Sequence, residues 1–195
     1  MNLFVIAAVT GYVLGSLPFG WLVARARGVN IFEVGSKSSG ATNVRRMVGP
    51  GAGYTVVALD AFKGAVASGW PILAWHTEAL GVVGLVCAVI GHSFSCFTRF
   101  RGGKGVATAA GGFLVLMPTV ILIALIVWTV VLYSTRYVSF ASIVAAAATP
   151  VAAYLVGESP LITIVALVVG GVVIVRHRSN IVRLRHGTEN KIGRK

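Results

Sequence analysis

Residues 91–108 read GHSFSCFTRFRGGKGVAT. A hydrophobic run ends here at Gly91-His92. Phe94, Phe97, Arg99, Phe100 and Arg101 follow, and then a glycine cluster around one lysine: Gly102, Gly103, Lys104, Gly105. A second apolar run begins at once. The stretch is a basic, glycine-rich elbow between two lipophilic segments. Two other polar stretches, 30–46 and 176–190, are of the same kind.

What surrounds the elbow decides the fold class. Of the 195 residues, 56% are hydrophobic and 11% charged. Soluble domains carry about 25% charged residues. A water-soluble core of this size cannot hide so much apolar surface, so the solvent for most of the chain is lipid. The net charge of +12 would suggest nucleic acid in a soluble protein. Here the positive-inside bias explains it, and no nucleic-acid partner is expected. Cys87 and Cys96 show no CxxC spacing and no cluster, so neither a disulfide framework nor a metal site is expected.

Seven spans are predicted, at roughly 3–24, 51–75, 79–96, 105–117, 119–133, 138–156 and 161–175. The first is too long for a signal-peptide core, nothing basic precedes it, and charge follows it. Gly15, Ser16, Pro18 and Gly20 mark it as kinked or closely packed. The fourth is short, about 20 Å against a hydrocarbon core of about 30 Å. Residues 105–133 could instead form one helix broken at Pro118. Charge parity favours two spans. With seven, the loops 25–50, 97–104, 133–137 and the tail from Arg176 to Lys195 share one side. All 17 Lys and Arg residues except Lys63 lie in those segments. The opposite turns, 76–78, 117–118 and 157–160, carry none. The expectation is an all-α polytopic membrane protein of about seven short helices, one domain over 1–195. Its N-terminus is outside and its C-terminus cytoplasmic.

The same parity puts the three polar stretches on one face, where together they can surround an anion. In 30–46, Gly35 and Gly40 let amides turn toward a ligand. Ser36, Ser38, Ser39, Thr42 and Asn43 supply neutral donors, and Arg45 can grip a phosphate bidentately. The plain alternative is a solvent-facing topogenic loop. In the elbow, Lys104 precedes the fourth span, where free backbone donors favour an anion. It is not a Walker A motif: Gly102-Gly103-Lys104 is too compact, and Gly105-Val106 rather than Ser or Thr follows the lysine. His92 reads either as a polar cap or as a catalytic group. In 176–190, His177 and Asn180 are three apart and share a helical face, with Arg183 and Glu189 beyond. A stop-transfer tail accounts for Arg176, Arg178 and Arg185, but not for Asn180 or Gly187-Thr188-Glu189. Asp60 and Lys63, three apart inside span two, are costly unless paired or facing a cavity. They read equally as a structural pair or as a brace for the site.

These pieces resemble the bacterial acyl-phosphate-dependent glycerol-3-phosphate acyltransferase family. The matching residues are Gly35-Ser36 with Gly40-Ala41-Thr42-Asn43 and Arg45, Asp60 with Lys63-Gly64, and Gly91-His92 through Arg101-Gly102-Gly103-Lys104-Gly105-Val106-Ala107-Thr108. Arg176-His177 with Asn180-Ile181, Arg183-Leu184 and Gly187-Thr188-Glu189 complete the set. The pieces are in register over nearly the whole chain. One departure stands out: Gly35-Ser36-Lys37-Ser38 replaces the family's common Gly-Ser-Gly-Asn.

The resemblance implies transfer of an acyl chain from acyl phosphate to the 1-hydroxyl of sn-glycerol 3-phosphate. The products would be lysophosphatidic acid and inorganic phosphate, made at the cytoplasmic face of the bacterial inner membrane. It implies no cofactor and no metal. The partners are the two substrates and membrane lipid. A monomer and an oligomer both fit, since small-residue faces pack equally well within or between chains. Ser36, Arg45 and Lys104 would contact phosphate, with Gly40, Thr42, Asn43 and Arg183 as further binding residues. Gly102 and Gly103 would shape the elbow. His177 and Asn180 would position glycerol phosphate or the leaving phosphate. Asp60, Lys63, His92 and Glu189 would support. Either a substrate phosphate oxygen or His177 accepts the hydroxyl proton. Two rival classes remain: an anion transporter, which would place polar groups at several depths, and a noncatalytic scaffold for acidic lipids.

Overall fold

The computed structural model describes residues 2–193. Arg194 and Lys195, counted above in the basic tail, lie outside the described residues. The described chain is all-α and forms two compact units, one ending at Leu116 and the other beginning at Met117. Its helices are α1 (Leu3–Ser16), α2 (Phe19–Arg25), α3 (Ala41–Met47), α4 (Pro50–Trp75), α5 (Glu78–Ser93), α6 (Val106–Leu116), α7 (Pro118–Thr135), α8 (Val138–Val156), α9 (Pro160–Arg176) and α10 (Arg178–Arg185). Five spans are long and apolar enough to cross a membrane. A sixth is possible if α9 and α10, bent by 58°, count as one. The protein is therefore a multi-pass membrane protein. Side chains such as Leu122, Ile126, Leu155 and Leu167 are exposed because lipid is their solvent.

The breaks have local causes. Pro118 lacks an N–H and fits the first turn of α7, so α6 stops before it and Met117 turns extended (φ −146°, ψ 68°). The 105–133 stretch is two helices. Span one divides into α1 and α2 at Leu17-Pro18. Broken backbone at membrane depth needs new partners, and it finds them. The Leu17 carbonyl accepts from Lys63 Nζ at 2.8 Å, and the Ser16 carbonyl from Ser95 Oγ at 2.6 Å.

In the first unit, helices pack through small residues. A Cβ at Gly15 of α1 would strike Ala88 of α5, and one at Gly64 of α4 would strike Thr108 of α6. Backbones that touch this closely gain dispersion contacts where lipid offers no hydrophobic drive. The stretch 25–50 was expected as a polar loop. It contains helix α3, which packs on α4 with a Cβ at Gly53 excluded by Arg45. A small core of Ala24, Ile31, Phe32, Val44, Ala52 and Val56 holds it. A seven-residue segment is too short to hold a helix by itself, so this packing makes the helix. In the second unit, α7 packs on α8, α8 on α9, and α10 on both α8 and α9. Ser159 caps α9, with Pro160 at its first turn.

Candidate active site

Two of the three polar stretches meet within the first unit. Ser38 Oγ donates to the Gly102 carbonyl at 3.4 Å, and Arg101 Nη2 donates to the Phe32 carbonyl at 3.0 Å. The Arg101 guanidinium also covers the Phe32 ring, 4.7 Å from its centroid.

The first stretch is built around Asn43. Its side chain is buried. Its Oδ1 accepts from the Ser36 amide at 2.9 Å, while Nδ2 donates to the carbonyls of Ser38, Val34 and Ile31 at 2.9, 3.2 and 3.3 Å. Asn43 is committed to its own loop and acts by shaping it. Gly35, with φ +57°, lies against Asn43 where a Cβ would collide with Oδ1. The Gly40 amide donates to Ser38 Oγ at 3.3 Å. Ser36 and Thr42 are exposed, and Arg45 is half-buried on α3. Lys37 occupies a left-handed position, φ 53°, where the family commonly has glycine. A non-glycine residue there costs about 1–2 kcal/mol. The departure noted in the sequence thus falls on the one residue of the loop that strains the backbone.

The elbow is a closed turn. Ser95 opens a 3-10 turn at Cys96–Thr98 by accepting from the Phe97 amide. The Phe100 amide then donates back to the Ser95 carbonyl at 2.8 Å, and the Arg101 amide to the Thr98 carbonyl at 3.1 Å. Arg99 and Phe100 both have positive φ, 53° and 58°. Two adjacent non-glycine residues in this region persist only where the surroundings over-determine them. The Gly103 amide donates to the His92 carbonyl at 3.1 Å. Lys104 is half-buried, two residues before α6 begins at Val106.

Behind the elbow lie the intramembrane charges. Asp60 and Lys63 form an ion pair at 2.8 Å, each side chain 3% exposed. His92 Nδ1 stands 3.5 Å from the same Asp60 oxygen. His92 is therefore buried in a charge cluster, which neither the surface-cap nor the catalytic reading anticipated.

The second unit carries its own cluster, centred on Glu189. One carboxylate oxygen accepts from Asn180 Nδ2 at 2.7 Å and Ser139 Oγ at 3.0 Å. The other accepts from Arg183 Nε at 2.6 Å. Burial raises the Glu189 pKa, but these hydrogen bonds and the Arg183 charge outweigh it, so the carboxyl is held below its ordinary value. His177 ends α9 at the bend into α10 and is buried with Asn180. Its Nδ1 lies 2.8 Å from the Val173 carbonyl. A carbonyl only accepts, so Nδ1 carries the proton and the lone pair of the neutral ring is at Nε2.

Sequence reading missed Ser38 and Arg101 as bridges, and Ser139 as a Glu189 partner. Arg101 had a signal, since a second arginine stands beside the glycines. Ser139 had none: it is one serine in an apolar helix.

A family model described as Glycerol-3-phosphate acyltransferase matches residues 5–187. A glycerol-3-phosphate acyltransferase of Geobacter sulfurreducens is 43% identical, over 98% of this chain and 98% of the relative. One from Fusobacterium nucleatum is 40% identical, over 92% and 93%. The crystal structure of PlsY (YgiH), an integral membrane glycerol 3-phosphate acyltransferase, in its glycerol 3-phosphate form superposes with a TM-score of 0.94. It is 35% identical, covering 98% of this chain and 96% of that one. The lysophosphatidic acid form gives 0.91 at 34% identity. A family match over nearly the whole length, with relatives at least 40% identical over nearly the whole chain, places this chain in the glycerol-3-phosphate acyltransferase family.

Proposed function

We propose that the protein transfers an acyl group from acyl phosphate to the 1-hydroxyl of sn-glycerol 3-phosphate, releasing lysophosphatidic acid and inorganic phosphate. The observation that carries this is the 0.94 superposition, over 98% of the chain, on an acyltransferase in its glycerol 3-phosphate form. Acyl phosphate is a mixed anhydride and already activated, so the reaction requires no enzyme nucleophile. The enzyme has to bring two anions together, orient the hydroxyl and stabilise charge on the carbonyl and the departing phosphate.

Ser36, Arg45 and Lys104 contact phosphate, with Gly40, Thr42 and Arg183 as further binding positions. Gly102, Gly103 and Asn43 act by shaping the loops, an assignment supported by the committed Gly103 amide and Asn43 side chain. His177 and Asn180 position glycerol phosphate or the leaving phosphate. A phosphate oxygen of the substrate takes the hydroxyl proton, with His177 Nε2 as the competing base. Glu189 orients Asn180 and Arg183.

In topology we read seven spans forming one acyltransferase domain over 1–195. The N-terminus is outside, the C-terminus cytoplasmic, and the reaction takes place on the cytoplasmic face of the bacterial inner membrane. The distribution of Lys and Arg supports this. In this count α6 and α9 are spans too; α6, at 11 residues, covers about 16 Å.

Purified protein in lipid, given acyl phosphate with and without glycerol 3-phosphate and then acyl-CoA, tests the reading. Equal phosphate and lysophosphatidic acid, dependent on glycerol 3-phosphate and absent with acyl-CoA, is expected. No lysophosphatidic acid from folded protein would contradict it.

A further inference from the structure

We infer that His92 is a positioning residue, a strut that carries the Asp60–Lys63 ion pair of α4 to the backbone of the elbow and so sets where Lys104 stands. The inference rests on the proposal that the elbow holds a phosphate. A buried carboxylate and ammonium in a spanning helix are costly, and a fold without use for them does better with apolar residues. Here one member reaches irregular backbone directly and the other faces the ring of His92. Lys63 Nζ donates to the Leu17 carbonyl at the break of the first span and lies 5.5 Å from the centre of the Phe19 ring. Asp60 Oδ1, 2.8 Å from Lys63, stands 3.5 Å from His92 Nδ1.

The far edge of the same ring meets the elbow. A Cβ added at Gly103 would run into His92 Nε2, and one at Gly102 would run into the His92 carbonyl. That carbonyl accepts the Gly103 amide at 3.1 Å. His92 therefore touches the two glycines with both its ring and its main chain, one residue before Lys104. A histidine that merely filled space would need only volume. This one has a charged partner on one ring edge and a backbone without side chains on the other.

The test is a kinetic cycle on the full chain in lipid, varying both substrates, for His92→Ala, Gly103→Ala, the double variant and Lys104→Ala. Each of the first two should lower kcat/KM by about 10- to 100-fold. Most of that loss should fall on the KM of one phosphate-bearing substrate, the same one for both. The double variant should be no worse than the poorer single one, because both changes break a single contact. Wild-type constants in His92→Ala, losses that multiply in the double variant, or losses falling on different substrates would overturn the inference. If His92→Ala is not recovered folded, His92→Asn takes its place under the same outcomes, since it keeps a polar group toward Asp60 and lacks the ring edge against Gly103. Lys104→Ala separates the two levels. If it and Gly103→Ala leave kcat and both KM values unchanged, the elbow is not a phosphate loop. If they raise one KM while His92→Ala does not, only the strut fails.

Discussion

The elbow of the first unit and the Glu189 cluster of the second organise polar residues by opposite means. In the elbow the backbone does most of the binding. Carbonyls of Phe32, His92 and Gly102 receive Arg101, Gly103 and Ser38, and glycines let the strands of chain approach. In the second unit one carboxylate collects three side-chain donors. A backbone-built loop should fail when side-chain volume is added. A carboxylate hub should fail when its charge is removed or titrated.

The largest effect is expected at the elbow's cation. Lys104→Ala should cut turnover by about 100- to 1,000-fold, as for loss of one charge-stabilising donor, with folded protein still in the membrane. Normal turnover would remove Lys104 from the mechanism. At the hub, Glu189→Gln should lower turnover by about 10- to 100-fold, since Asn180 and Arg183 lose the anion that orients them. Unchanged turnover would mean that those two residues are placed by other contacts.

The hub should also respond to pH. The Glu189 pKa is lowered on folding, so its stabilisation is full above the ordinary value near 4.5 and is lost as pH falls through the lower folded value. The gap in melting temperature between wild type and Glu189→Gln should therefore close on acidification. A gap constant down to pH 3 would contradict the ion pairing. The smallest effect concerns backbone strain. Lys37→Gly should raise stability by up to about 1 kcal/mol, because Lys37 is in the left-handed region. A lower melting temperature would show that the lysine charge outweighs its strain.

The two regions also differ in how far the sequence revealed them. Helix positions followed from hydropathy and proline: the break at Pro118, the turn at 157–160 and the interruption of the first span all lie where expected. The pairing of Asp60 with Lys63 followed from their three-residue spacing. Helix α3 did not, because seven residues are too few to form a helix without the tertiary packing that holds them. Nor did the burial of His92 beside Asp60, since the two are brought together by packing of α4 on α5 rather than by any periodicity. Asn43 was read as a substrate donor because an Asn among glycines and serines carries that chemistry. Its inward direction depends on carbonyls of residues 31–38, which no sequence pattern records.

The central claim is that the elbow of the first unit grips a substrate phosphate through Lys104. Solid-state NMR dipolar dephasing between lysine 15Nζ and substrate 31P, on the full chain in lipid saturated with glycerol 3-phosphate or with a non-transferable acyl phosphonate, tests it most directly. With one of the two ligands, a single lysine signal should dephase strongly, and that signal should be missing from Lys104→Met. Saturation by both ligands with no dephasing of the Lys104 signal would contradict the account.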